Sequence, residues 1–186
     1  MKNKTQLLFF IIAILTLNTS QSAEISKSGE SQHLLYNQDI LLQDFSGKNR
    51  NINEFTGKGK WLLVMIWASN CHICNAEIQN YIKFNNKHKN KDLTVLGISV
   101  DGWQYKDNAL EFIRKHKVDF TNLIAAPVVI DHFYKLQTGK SLVGTPSFLL
   151  YSPTGELKAE QSGAVPTALI EDFIKKNSKN SSGSAQ

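Results

Sequence analysis

A chain of 186 residues, 41% hydrophobic and 20% charged, has the length for one domain with an ordinary core plus removable ends, and the composition of a soluble globular protein. Its formal net charge is +5, but the basic residues are scattered, with one denser patch at Lys83, Lys87, Lys89 and Lys91. Asparagines and His88 interrupt that patch, so it reads as the solvated end of a helix and argues against a nucleic-acid partner.

The first residues follow a secretory pattern. Lys2 and Lys4 form a positive start, Leu7 to Leu17 an apolar stretch, and Asn18 to Ala23 a small, polar close. The apolar stretch, about 11 residues, is too short to cross a bilayer of roughly 30 Å as a helix. Residues 1–23 are therefore read as a cleaved signal peptide and the mature chain as exported, periplasmic and near +3. No cysteine lies near the cleavage region, which excludes a lipoprotein anchor. Residues 24–33 read as a flexible leader, 34–176 as the folded domain and 177–186 as a disordered polar tail.

Within the domain, Leu41 to Ile52 suggests a short hairpin turning at Ser46-Gly47-Lys48-Asn49, followed by a brief turn or helical piece over Asn53 to Gly57. Trp61 to Trp67 is a continuous apolar run of strand length. After it, Ala76, Ile78, Tyr81, Ile82 and Phe84 recur at helical spacing. Leu93 to Val100 is a second buried strand ending at the turn pair Asp101-Gly102. A helix over Ala109 to Val118, with Leu110, Ile113 and the stem of Lys117 inward, is expected to start from Asp107 as N-cap. Phe120 to Ile124 reads as a short strand, and Val128 to Leu136 as a helix with Val129, Phe133 and Leu136 inward. Ser147 to Tyr151 and Glu156 to Gln161 form a hairpin around the type I turn Ser152-Pro153-Thr154-Gly155. Pro166 opens a last helix with Leu169, Ile170, Phe173 and Ile174 on one face. Strand–helix alternation closed by a hairpin implies an α/β domain with a mixed sheet flanked by helices.

The only two cysteines, Cys71 and Cys74, stand where the first central strand turns into a helix. Helix N–H groups and the positive dipole end favour a thiolate at the first of them, and the spacing lets the second close a disulfide. A structural staple is disfavoured because so short a loop constrains little of the unfolded chain. Metal binding is the other alternative: thiolates with His72 suit Cu(I), but the set is thin. His33, His88, His116 and His132 lack the mutual spacing of a metal site and read as surface residues.

Trp61 to Ser69, Cys71-His72-Ile73-Cys74 with Glu77 after it, Gly144 to Leu149, and Ser152 to Leu157 together resemble the thioredoxin-like superfamily, in particular exported thiol–disulfide oxidoreductases of the TlpA/ResA/CcmG type. The resemblance covers about Leu41 to Lys175. It departs at Asn70, where the family commonly has Trp, and at Ile73 and Ile78, where it often has Pro. It implies a thioredoxin-like fold with an N-terminal β-hairpin extension, a cis bond before Pro146, and no cofactor beyond the redox-active cysteine pair.

On this reading Cys71 is the nucleophile and Cys74 resolves the mixed disulfide. Glu77, one helical turn on, shuttles a proton if it is buried beside the sulfurs, and is otherwise an ordinary helix glutamate. His72 favours the thiolate when protonated, or simply faces solvent. Thr145 and Pro146 offer backbone to a substrate strand, and Trp67 and His72 are placed with them at the substrate-binding surface, Trp67 either shielding the site there or standing as a core aromatic at a strand end. The implied activity is reduction of specific protein disulfides, with apocytochrome c cysteines a candidate and a membrane thiol–electron donor of the DsbD/CcdA kind as partner. A disulfide oxidant or isomerase, a Cu(I) carrier and a redox-inert adaptor stand as alternatives.

Overall fold

The computed structural model describes residues 40 and 42–182, with side chains to residue 178. The signal peptide read over 1–23, the leader at 24–33 and His33 lie outside the described residues.

The chain runs β1 (Leu42–Asp44), β2 (Asn49–Arg50), a 3-10 turn (Ile52–Glu54), β3 (Trp61–Trp67), α1 (His72–His88) and β4 (Leu93–Ser99). A second 3-10 turn (Trp103–Tyr105) leads into α2 (Lys106–His116), followed by β5 (Thr121–Ile124), α3 (Pro127–Thr138), β6 (Ser147–Tyr151), β7 (Leu157–Ser162) and α4 (Thr167–Ser182). The seven strands form one sheet in the order β2-β1-β5-β4-β3-β6-β7. Strands β3, β4 and β5 are parallel, joined through α1 and α2, whereas β6 pairs antiparallel to β3, and β1 antiparallel to β5. This is the thioredoxin-like mixed sheet with its N-terminal hairpin.

Strand β3 explains why its sequence is apolar without alternation. Leu63, Met65 and Trp67 pack on one face with Ile78, Tyr81 and Phe84 of α1, Phe112 of α2, and Ile170 and Ile174 of α4. Leu62, Val64 and Ile66 pack on the other with Ile130, Phe133 and Tyr134 of α3. A strand covered on both faces gains from apolar side chains at every position.

Helix faces differ in detail from the sequence reading. On α1, Ala76 is exposed and Cys74 fills the inward position. Helix α2 begins at Lys106, so Asp107 lies inside its first turn and not at the cap, where Tyr105 stands. Its buried residues are Ala109 and Phe112, with Leu110 and Ile113 only partly covered. Lys117 is an exposed left-handed C-cap at φ 55°, so its stem is not part of the core. Helix α3 buries Ile130, Phe133 and Tyr134, leaving Val129 and Leu136 at the margin. On α4, Leu169 is 60% exposed, and the helix continues to Ser182, into the stretch read as a polar tail.

Two lysines of the basic patch are paired with acids. Lys87 pairs with Glu171 at 2.7 Å and Lys89 with Asp119 at 3.2 Å. The His88 ring, largely covered, bridges Asp92 at 2.8 Å and Glu171 at 3.3 Å, joining α1 to α4 where a surface histidine was expected.

Candidate active site around Cys71 and Cys74

Cys71 and Cys74 are disulfide-bonded, with Cα atoms 5.2 Å apart. Cys71 is the N-cap of α1, and its Sγ accepts the Cys74 N–H at 3.1 Å. A cap position leaves the first helical N–H groups without intrahelical acceptors, so a sulfur there meets donors and the positive end of the dipole. Cys74 is fully buried while Cys71 is partly open. The two sulfurs are therefore unequal: an approaching group meets Cys71.

The turn that presents Cys71 is held from two sides. On one, the Asp101 carboxylate, just past β4, accepts the Ser69 N–H at 3.0 Å and the Ser69 hydroxyl at 2.9 Å. It also accepts the hydroxyl of buried Ser99 at 2.7 Å. On the other, Asn75 Nδ2 donates to the carbonyls of Ser69 at 3.0 Å and Cys71 at 2.9 Å, while its Oδ1 lies 2.9 Å from His116 Nε2. Burial holds the His116 imidazole below its usual range, with Lys115 adding to the effect.

The Thr145–Pro146 bond is cis, and the Thr145 carbonyl oxygen lies 3.3 Å from Cys71 Sγ. The loop is fixed by its neighbours: the Ser147 hydroxyl donates to the Gly144 carbonyl at 2.7 Å, and the Gly163 N–H donates to the Pro146 carbonyl at 2.8 Å. Thr145 is partly open and Pro146 buried. The sequence reading of this loop as the sulfur's neighbour thus has a geometric counterpart.

Trp67, Glu77 and His72 each take the plainer of the two places expected for them. Trp67 is 1% exposed; it stacks on Phe112 at 4.4 Å and donates from Nε1 to Asn122 Oδ1 at 3.0 Å. It is a core residue beneath the site and cannot touch a docked substrate, which corrects its assignment to substrate binding. Glu77 is partly exposed, and its carboxylate accepts from Asn80 Nδ2 at 2.9 Å, down the helix from the sulfurs. His72 is solvent-facing in the first helical turn, beside Ile73, which is 45% exposed.

Beside Cys71 a shallow cleft of about 310 Å³ opens between α1 and α2, lined by Ser69, Asn70, Asn75, Asn108, Glu111, Phe112 and Lys115. Further along α1, the buried Tyr81 phenol donates to the Val165 carbonyl at 2.7 Å, and burial pushes its pKa up to about 12. Sequence reasoning missed Asp101, Asn75, His116 and Asn122. Asp101 was visible only as half of a turn pair, and nothing in the spacing links Asn75 to a histidine so distant in sequence. Among the described residues, no group of three or more His, Cys, Asp or Glu is arranged to hold a metal ion, and no helix is long and apolar enough to cross a membrane.

Comparison with known proteins agrees with this geometry. The profile of the AhpC/TSA family matches residues 37–160. The thiol-disulfide oxidoreductase ResA of Bacillus cereus is 24% identical over 179 residues, covering 93% of this chain and 97% of that protein. Among solved structures, the thioredoxin domain of a thiol-disulfide oxidoreductase from Bacteroides vulgatus superposes with a TM-score of 0.59 at 24% identity. That match covers 72% of this chain and 91% of the other. A secreted Mycobacterium tuberculosis disulfide oxidoreductase homologous to DsbE of E. coli gives 0.53 at 21% identity, over 69% and 90% of the two chains.

Proposed function

Because the chain belongs to the AhpC/TSA family and carries the Cys71–Cys74 pair of a thiol–disulfide oxidoreductase, we propose that it acts as an exported reductant of specific protein disulfides. The observation that carries this reading is the inequality of the two sulfurs: Cys71 partly open at a helix N-cap, Cys74 buried behind it.

In the reduced protein the Cys71 thiolate attacks a partner disulfide. A Cys71–partner bond forms, the partner's S–S bond breaks, and one partner thiolate leaves. The Cys74 thiolate then attacks Cys71 Sγ, closing the Cys71–Cys74 bond and releasing the second partner thiolate. Two electrons pass to the partner and the chain ends in the disulfide form. Electrons return from a membrane thiol–electron donor, and apocytochrome c disulfides are one candidate substrate.

Thr145, partly open beside Sγ, and the solvent-facing His72 are the residues we assign to contact with the partner, with Pro146 fixing the loop behind Thr145. A proton-shuttle role for Glu77 belongs to the same proposal. It requires the carboxylate to leave Asn80 for Cys74, so Glu77→Gln should alter the pH dependence of the resolving step and leave the attack by Cys71 unchanged. Export rests on the pattern of residues 1–23.

The test is the equilibrium potential of the pair in the chain from Glu24 onward, against defined thiol buffers. A value at or below about −230 mV supports a reductant, whereas one near about −120 mV means a disulfide donor and reverses the direction. In parallel, Cys74→Ser should trap partners as mixed disulfides on Cys71, and Cys71→Ser should trap none.

A further inference from the structure

Asn75 follows the resolving cysteine directly, yet its side chain turns back over the start of the helix. One Nδ2 group serves two carbonyls, those of Ser69 at 3.0 Å and Cys71 at 2.9 Å. The Cys71 carbonyl also accepts the Asn75 backbone N–H at 3.0 Å, so a single residue grips the nucleophile's own carbonyl twice. With Nδ2 donating, Oδ1 is left as acceptor, and its partner is His116 Nε2 at 2.9 Å. That assigns the ring proton to Nε2.

His116 is itself immobilised. It is the last residue of α2, its ring lies against Phe112 with centroids 4.6 Å apart, and Phe112 stacks on Trp67. The His116 carbonyl accepts from Gln79 Nε2 of α1 at 2.8 Å. The amide of Asn75 is therefore held from both ends, its Nδ2 by the two carbonyls of the turn and its Oδ1 by a ring bolted to the core.

We propose that His116, acting through Asn75, is a positioning residue for Cys71, fixing the turn so that Sγ stays on the Cys74 N–H. Without the His116 donor the Asn75 amide can rotate, its Nδ2 leaves the two carbonyls, and the Ser69–Cys71 turn keeps its backbone bonds and the Asp101 anchorage but loses its tie to α2. The Sγ···H–N contact of 3.1 Å then loosens, and the thiolate that it favours in the reduced protein becomes harder to form. This inference rests on the reading of Cys71 as nucleophile.

The experiment is the pH profile of iodoacetamide alkylation of the reduced full chain, comparing wild type, His116→Phe, His116→Gln and Asn75→Ala. Phenylalanine keeps the ring against Phe112 without a donor; glutamine restores an N–H near the position of Nε2. His116→Phe and Asn75→Ala should each raise the Cys71 thiol pKa by about one unit, a tenfold loss of thiolate below the pKa. The alkylation rate there should fall only about threefold, because a more basic thiolate is the better nucleophile. His116→Gln should return the profile to the wild-type position. A role confined to packing would lower the melting temperature of His116→Phe and leave the thiol pKa where it was, and that result overturns the proposal. So does a glutamine variant no better than phenylalanine. If His116→Phe fails to fold, Asn75→Ala decides: an unmoved pKa there overturns it equally. Wild-type Cys71 alkylated no faster than Cys74 would sink the nucleophile assignment first and this inference with it, an outcome distinct from a reactive Cys71 that ignores His116.

Discussion

The Asp101 carboxylate holds Ser69 by both its N–H and its hydroxyl, at 3.0 and 2.9 Å, so the end of β4 fixes the turn that follows β3. Asp101→Ala removes the acceptor for these groups and for the Ser99 hydroxyl, which is fully buried. A buried donor left without a partner costs about 1–3 kcal/mol. We expect Asp101→Ala to lose about 2–3 kcal/mol in urea unfolding of the oxidised protein, and Asp101→Asn, which keeps one acceptor, about 1 kcal/mol. An alanine variant within about 0.5 kcal/mol of wild type would mean that water replaces the carboxylate without loss.

Gly97 lies against a buried polar contact. A Cβ there would overlap the Asn122 Oδ1 and come within 2.9 Å of Trp67 Nε1, the two atoms that share a hydrogen bond. Gly97→Ala must displace Asn122 and leave the indole N–H unpaired, at a cost of about 2–4 kcal/mol. Asn122→Ala opens the space, so the double variant should be more stable than the sum of the two single losses predicts. Strict additivity in that thermodynamic cycle would show that the two positions do not compete.

Lys117 ends α2 at φ 55°, a left-handed conformation that costs a side chain about 1–2 kcal/mol. Glycine adopts it without that cost but is more flexible in the unfolded chain, by about 0.5–1 kcal/mol. Lys117→Gly should therefore raise stability by about 0.5–1 kcal/mol. A lowered melting temperature would contradict this.

Burial holds His116 below the ordinary imidazole value of about 6.5. Above about pH 6.5 the ring is neutral in both folded and unfolded chains, and its contribution to stability is fully present. As pH falls from there toward the native pKa, the unfolded chain takes up the proton first, so stability declines. The carboxylates of Glu54, Glu156 and Glu171 are held below their usual range, so the stability they contribute is lost only at lower pH. Unfolding free energies at pH 7.5 and 5.5 should drop more for wild type than for His116→Gln. Equal drops would remove His116 as the source.

The elements that position the cysteines were legible because they are local. Trp61 to Trp67 is apolar throughout since both its faces are covered, and the turn into a helix at Cys71 follows within a few residues. The hairpin at Ser152 to Gly155 carried its own signal in Pro153 and Gly155, and the Gly155 N–H does bond the Ser152 carbonyl at 2.9 Å. What could not be read joins distant residues. His116 meets Asn75 only because α1 and α2 pack side by side, and Asp101 meets Ser69 only because β4 lies in register beside β3, with Trp67 opposite Ser99. Trp67 was ambiguous for a related reason: a strand-end aromatic points up toward a site or down into the core according to register. Glu77 sits at the right spacing from Cys74, but spacing on a helix does not say which neighbour a carboxylate will choose, and here it is Asn80.

Among the described residues, strand β7 borders the sheet on one side and the two-residue β2 on the other. β7 is long enough to template the addition of a foreign strand, a hazard for any protein that must meet partners in extended conformation. Its sequence, Leu157-Lys158-Ala159-Glu160-Gln161-Ser162, sets an ion pair of Lys158 with Glu156 and another of Glu160 with Lys140 along that border. An incoming strand would have to displace or desolvate those charges. The opposite border, at β2, is too short to seed a fibril, and the loop end that carries Cys71 remains available for transient encounters.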